Sequence, residues 1–182
     1  MKLRRLTTAR GSGTVRHMSA PPSLDDDHYC YCCGSANPEG LHVRFEELPD
    51  GMLATRVAFA PRHAIRGSQV HPGFLTLIVD ELAVQMLLYQ GIAAVSTELR
   101  LHSLAPVAVG ETVVVRAWRG RSRGRFIEVE CDARVDREGG APHGAGRLVA
   151  AGTIACMEVA IVADGGVERF VANRRNTKTE ER

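Results

Sequence analysis

Two adjacent carboxylates, Asp80 and Glu81, stand in the middle of VHPGFLTLIVDELAVQMLLYQ, residues 70–90, a stretch that is apolar on nearly every side of a helical wheel. A helix without a polar face has to be buried all round. An acid in its middle must then be hydrogen-bonded, paired, or held for chemistry. The two acids therefore point to a binding or catalytic cleft built around this helix. Successive helical residues are turned by about 100°, so Asp80 and Glu81 cannot face one substrate equally. Glu81 and Gln85 are one turn apart and can hydrogen-bond at a subunit seam. His71, in the loop that enters the helix, either contacts substrate or fixes that loop.

Cys30, Cys32 and Cys33 form a second reactive group. Cys30 and Cys33 make a Cys-x-x-Cys, but one such pair supplies two ligands where structural zinc takes four. Cys131 and Cys156 fall inside strand patterns, and only His28 and Cys32 are near the pair in sequence. The pair does not open a helix in a βαβ unit, as a redox pair would. The reading is therefore no metal and no cofactor. The turn NPEG, with Gly40 free to take positive φ, is the better reason for the motif.

The elements that position these residues alternate in the way strands do. Leu41, Val43 and Phe45 alternate with His42, Arg44 and Glu46. Pro49, Asp50 and Gly51 mark a turn, and Leu53, Thr55, Val57 and Phe59 continue the pattern. After the helix, Thr97, Leu99 and Leu101 lie opposite Ser96, Glu98, Arg100 and His102. Pro106 and Gly110 break the chain before Val113, Val115 and Ala117. RGRSRGR then turns it into the cleanest strand, with Ile127, Val129, Cys131, Ala133 and Val135 on one face. A last strand runs from Arg147 to about Ile161. Two strands, one buried helix and four strands in a meander predict an α+β chain, one antiparallel sheet wrapped round one helix.

With 182 residues, one domain over 29–162 is expected, with a tail at 1–28 and a partly frayed extension at 163–182. The Arg-rich, acid-free start also suits an organelle transit peptide. A formal charge of +2 argues for neither nucleic acid nor a membrane surface, and no apolar run reaches transmembrane length. An odd count of five cysteines fits a reducing cytosol better than a secreted disulfide framework.

Three segments, in this order, carry a resemblance. They are CYCCGSANPEGLHVRF, VHPGFLTLIVDELA with an acid nine positions after its histidine, and STELRLHSLAPVAVGETVVV. Together they resemble the hotdog-fold acyl-CoA thioesterases, the 4-hydroxybenzoyl-CoA and phenylacetyl-CoA thioesterase-like proteins among them, over roughly Cys30 to Val159. The resemblance implies a curved sheet of about six strands round one long helix. It implies a homodimer or homotetramer whose active sites are shared between subunits, and an acyl-CoA or other acyl thioester as substrate. By position, Asp80 takes the role of general base or nucleophile, and Ser96 that of a hydroxyl holding the attacking water. His71, Phe74 and Glu81 fall around the substrate.

The chain departs from the pattern at the loop. Relatives use the N–H that follows the histidine to polarise the thioester carbonyl, and here that residue is Pro72, which has none. The N–H of Gly73 or Phe74 is the substitute, since the first amides of a helix lack internal partners. The alternative is a hotdog protein that holds an acyl thioester without cleaving it. The hairpin residues Arg119, Arg121, Arg123 and Arg125 are either a grip on coenzyme A phosphates or a solvated turn.

Overall fold

Alternating apolar residues give strands only where a partner strand takes up their backbone groups. The computed structural model describes residues 29–65, 67–136 and 146–159, and there the alternation becomes six strands and one long helix. They are β1 (Phe45–Glu47), β2 (Leu53–Ala58), α1 (Pro72–Tyr89), β3 (Ala94–Ser103), β4 (Thr112–Arg123), β5 (Phe126–Val135) and β6 (Arg147–Glu158). The expected tail at 1–28, the extension at 163–182, His28 and the end of the last strand at Ile161 lie outside the described residues.

All neighbours in the sheet are antiparallel, and the order is β1-β2-β4-β5-β6-β3. The expected meander is corrected at β3. This strand pairs with β6 at the far edge, so the connection from β3 to β4 crosses the end of the sheet instead of forming a hairpin. The crossing is tied down by Gln69, bridged to Ala108, and by Val70, whose N–H donates to Val107.

The helix α1 lies on this sheet and packs against β2 through β6. Leu75, Ile78, Val79, Leu82, Ala83, Met86 and Leu87 are buried between them. They meet the inward face of β5, where Ile127, Val129, Cys131, Ala133 and Val135 are buried as the alternation predicts. By length and composition α1, at 18 residues, is apolar enough to cross a membrane, which corrects the reading that no run reaches that length. Its apolar face is spent on the sheet. The helix ends where Gly91 takes φ +74, the left-handed cap that glycine adopts without steric cost.

Three further local readings are corrected. The stretch 119–125 is not all turn: β4 runs on to Arg123, and only Gly124 and Arg125 turn the chain. Leu41 to Arg44 are not part of β1. The N–H groups of Leu41 and Val43 go to Tyr31 and Cys32, and His42 takes φ 50, which breaks the extended run. Gly40 does not take positive φ; a Cβ there would come within 3.1 Å of the Tyr31 carbonyl, so close approach is the reason for the glycine.

Candidate active site and a cysteine–carboxylate cluster

The first turn of α1 is closed by its own loop. His71 is the N-cap, and its Nδ1 accepts the Gly73 N–H at 2.9 Å. Pro72 has no N–H to offer, and the Phe74 N–H donates to the His71 carbonyl at 3.0 Å. The Gly73 amide expected to receive an oxyanion is thus held by an imidazole that must swing aside first. The His71 N–H donates to the His63 carbonyl, fixing the loop from behind.

Beside this turn lies a cleft of about 250 Å³, lined by His71, Pro72, Leu75, Leu104, Pro106 and Val107 among others. Phe74 points elsewhere. Its ring packs at 4.7 Å from that of His63 and 6.4 Å from that of Phe59, in an aromatic cluster inside the core.

Asp80 lies two turns further along α1, on a stripe with Thr76, Leu77 and Val84 that the chain leaves only half-buried. Its charge is felt on two sides. Burial pushes the Cys156 thiol on β6 up to about 11, and Asp80 adds to the rise. Burial also raises Cys32, with Glu81, Cys30 and Asp80 contributing in that order. Ser96 is the cross-strand partner of Cys156, and directly opposed residues share a face of the sheet. The serine therefore faces the helix side, while a bulge between Ser96 and Glu98 displaces Thr97, whose hydroxyl donates to the Ala155 carbonyl. Of the two hydroxyls, Ser96 is the one on Asp80's side.

Glu81 faces the cysteine-rich loop instead. Cys33 Sγ lies 3.1 Å from Glu81 Oε1 and Cys30 Sγ 3.9 Å from Oε2, while Gln85 Nε2 donates to Oε1 at 3.0 Å. The helical Glu81–Gln85 pair is as the spacing predicts, but within one chain. Burial and the hydrogen bond to Glu81 hold the Cys33 thiol well above its ordinary range. The arginines 119, 121 and 123 lie along the exposed end of β4, with Arg119 donating to Ser122.

Residues 67–141, from the loop before α1 through β5, match the family model of the thioesterase superfamily. A crystal structure described as a thioesterase superfamily protein superposes with a TM-score of 0.64 at 18% identity, over 72% of this chain and 61% of that one. The fold is that of the hotdog thioesterases.

Two other hotdog structures show the range of relatives. The E. coli PaaI protein from the phenylacetic acid degradation operon gives a TM-score of 0.58 at 16% identity, covering 70% of this chain and 83% of that one. A hypothetical thioesterase from Streptococcus pneumoniae TIGR4, crystallised with coenzyme A, gives 0.56 at 13% identity, covering 64% and 85%. The chain spans less than two thirds of the thioesterase superfamily protein that it matches first. No curated protein matches it.

The sequence pattern singles out Asp80, Ser96 and the helix entry, and the fold puts Asp80 in the middle of α1 and Ser96 on the helix side of β3. The pattern misses His63, whose Nδ1 accepts the Ala60 N–H, and the meeting of Cys30 and Cys33 with Glu81. The Cys-x-x-Cys is visible in the sequence; its carboxylate, 48 positions from Cys33, carries no signal that would pair them.

Proposed function

We propose that this protein is an acyl-CoA thioesterase: water activated by Asp80 as general base attacks the thioester carbon, or Asp80 attacks it as nucleophile and water then hydrolyses the acyl anhydride, and in either case the thiolate of coenzyme A departs. The observation that carries the reading is the half-buried Asp80 in the middle of α1, on the side of the sheet that Ser96 also faces. Two structures of the S. pneumoniae thioesterase carry alanine in place of an aspartate and a threonine that stand the same distance apart in sequence as Asp80 and Ser96. A hydroxyl at that position fits the holding of an attacking water. Coenzyme A and acetyl-CoA occupy the S. pneumoniae protein and a relative from Streptococcus mutans UA159, which supports an acyl-CoA ligand here.

Helix geometry supports a site shared between subunits. Gly73 and Asp80 are seven residues apart, roughly 10 Å along the axis at 1.5 Å per residue. One thioester carbonyl cannot accept from the Gly73 amide and meet Asp80 of the same chain. A homodimer or homotetramer solves this by bringing the first turn of one α1 to the Asp80 of another, and it covers the half-buried stripe with Leu77 and Val84. Free, reduced cysteines suit a cytosolic setting.

A second reading is a hotdog protein that binds an acyl thioester without hydrolysing it. Pro72 and the occupied Gly73 amide favour it, since removal of one oxyanion donor costs on the order of 10²–10³ in rate. Thiol release from short-chain, long-chain and aromatic acyl-CoAs, with Asp80→Asn beside the wild type, separates the two. Turnover that drops at least a hundred-fold in the variant is expected. Wild-type-like turnover by Asp80→Asn would remove Asp80 from the chemistry, and tight acyl-CoA binding without any turnover would establish the binding module.

A further inference from the structure

We propose that Cys30, Cys33 and Glu81 form a binding site for a zinc-class divalent metal ion, with one coordination position left for water or an outside donor. The site is independent of the thioesterase reading. The ligand atoms of the three residues all lie within 4.8 Å of one another. Zinc binds thiolate at ~2.3 Å and carboxylate at ~2.0–2.2 Å, so the edges of its tetrahedron run ~3.5–3.8 Å. Cys33 Sγ stands 3.1 Å from Glu81 Oε1 and Cys30 Sγ 3.9 Å from Glu81 Oε2, so each thiol lies near that range from one of the two carboxylate oxygens, and a monodentate Glu81 would turn one oxygen toward both.

The loop is built to present two of its three thiols. Gly34 N–H donates to the Cys30 carbonyl, closing a turn that brings Cys30 and Cys33 to the same side. Cys32 turns the other way and is 1% exposed in the core. The loop is anchored through Leu41 to Tyr31 and through Val43 to Cys32, and Arg44 donates to the Cys33 carbonyl. On the helix, Gln85 orients the carboxylate of Glu81, the part that a hydrogen-bonding neighbour plays for a metal ligand. Soft thiolates beside one carboxylate select zinc-class ions over magnesium or calcium, which want oxygen donors throughout.

Binding exchanges protons for metal. Both thiols now lie against Glu81 as donors, and the ion would displace their two protons as thiolates form. Three protein ligands with an open fourth position distinguish the site from a closed structural one. Its mechanical effect is to clamp the loop of residues 30–43 onto α1, one residue from Asp80.

The test is zinc uptake by the full chain, prepared metal-free under reductant and titrated against a chromogenic chelator, with cobalt(II) as optical probe. One equivalent of zinc per chain, a thiolate-to-cobalt charge-transfer band, proton release on binding and a raised unfolding temperature are expected. Cys33→Ser should lose the stoichiometric zinc and the band, and Cys131→Ala, altered elsewhere in the core, should keep both. Gln85→Ala should weaken binding on the order of ten-fold with the fold intact by circular dichroism, which keeps the proposal testable if Cys33→Ser fails to fold. No stoichiometric uptake by the folded, reduced protein would overturn the site, as would uptake and a band that survive in both Cys33→Ser and Glu81→Gln.

Discussion

His63 is buried to 2% exposure, yet its ring is asked to stay neutral by everything around it. Nδ1 accepts the Ala60 N–H at 3.0 Å, Nε2 has no partner among the described residues, and the ring edge meets Phe59 and Phe74. Burial, with Arg62 beside it, lowers its pKa below the ordinary 6.5. Below pH 6.5 the unfolded chain then binds the proton that the folded chain refuses, so stability rises with pH up to that value. The stabilisation is complete above pH 6.5 and drains away as pH falls towards the lowered value. Thermal unfolding at pH 7.5 and 5.5 should show a drop for the wild type that is smaller in His63→Gln; equal drops would show that another group carries the titration. The neighbouring acids of α1 divide their work in the same local manner. The charge of Asp80 acts on Cys156 and Cys32, and Glu81 turns to the cysteine loop.

At the scale of elements, β6 owes its place to a glycine. Gly152 lies between Cys131 of β5 and Leu101 of β3, and a Cβ there would run into the Arg100 carbonyl. Backbone cannot yield as a side-chain tip does, so Gly152→Ala should destabilise by about 2 kcal/mol. Denaturant midpoints with an unchanged slope would measure it, and a loss under 0.5 kcal/mol, roughly the noise of surface substitutions, would contradict the packing argument. The strands themselves were legible because period-two alternation survives in β2 and β5, and in β3 on either side of its bulge. The extent of β4 was not, because Gly120 and the arginines imitate a turn. In the sheet Gly120 instead faces a close approach, 3.2 Å from a would-be Cβ to the Glu128 carbonyl. The place of β3 beside β6 was also hidden, since a short connection with Pro106 and Gly110 reads equally as a hairpin or a crossing. The outer face of β5 carries Glu128, Glu130, Asp132 and Arg134, yet Asp132 is 7% exposed between Arg116 and Arg134. Periodicity assigns a face and cannot count the partners waiting on it.

For the whole molecule, the proposed roles of Gly73 and Asp80, seven residues apart on one helix, call for a second subunit. Under the shared-site reading, Asp80→Asn spoils one half of each site and Gly73→Pro, which removes the other amide, spoils the second half. Each variant alone should be inactive. Mixed after subunit exchange, they should recover thiol release, because a mixed dimer holds one site with both halves intact. A sedimentation profile that shows only monomer, or a mixture as dead as its components, would argue against sharing.

The two edges of the sheet are unlike. At one end stands β1, three residues long and followed by Pro49; at the other stands β3, ten residues long, with Val95 45% exposed. An unpaired strand edge is a template for another chain, and short, interrupted ones are poor templates. A second copy that joins edge to edge at β3 uses up both long templates at once and turns the short ones outward. Such a joint would leave only short edges exposed, which give a further copy little to extend by strand pairing, so a sheet this open can remain a particle and not become a fibre.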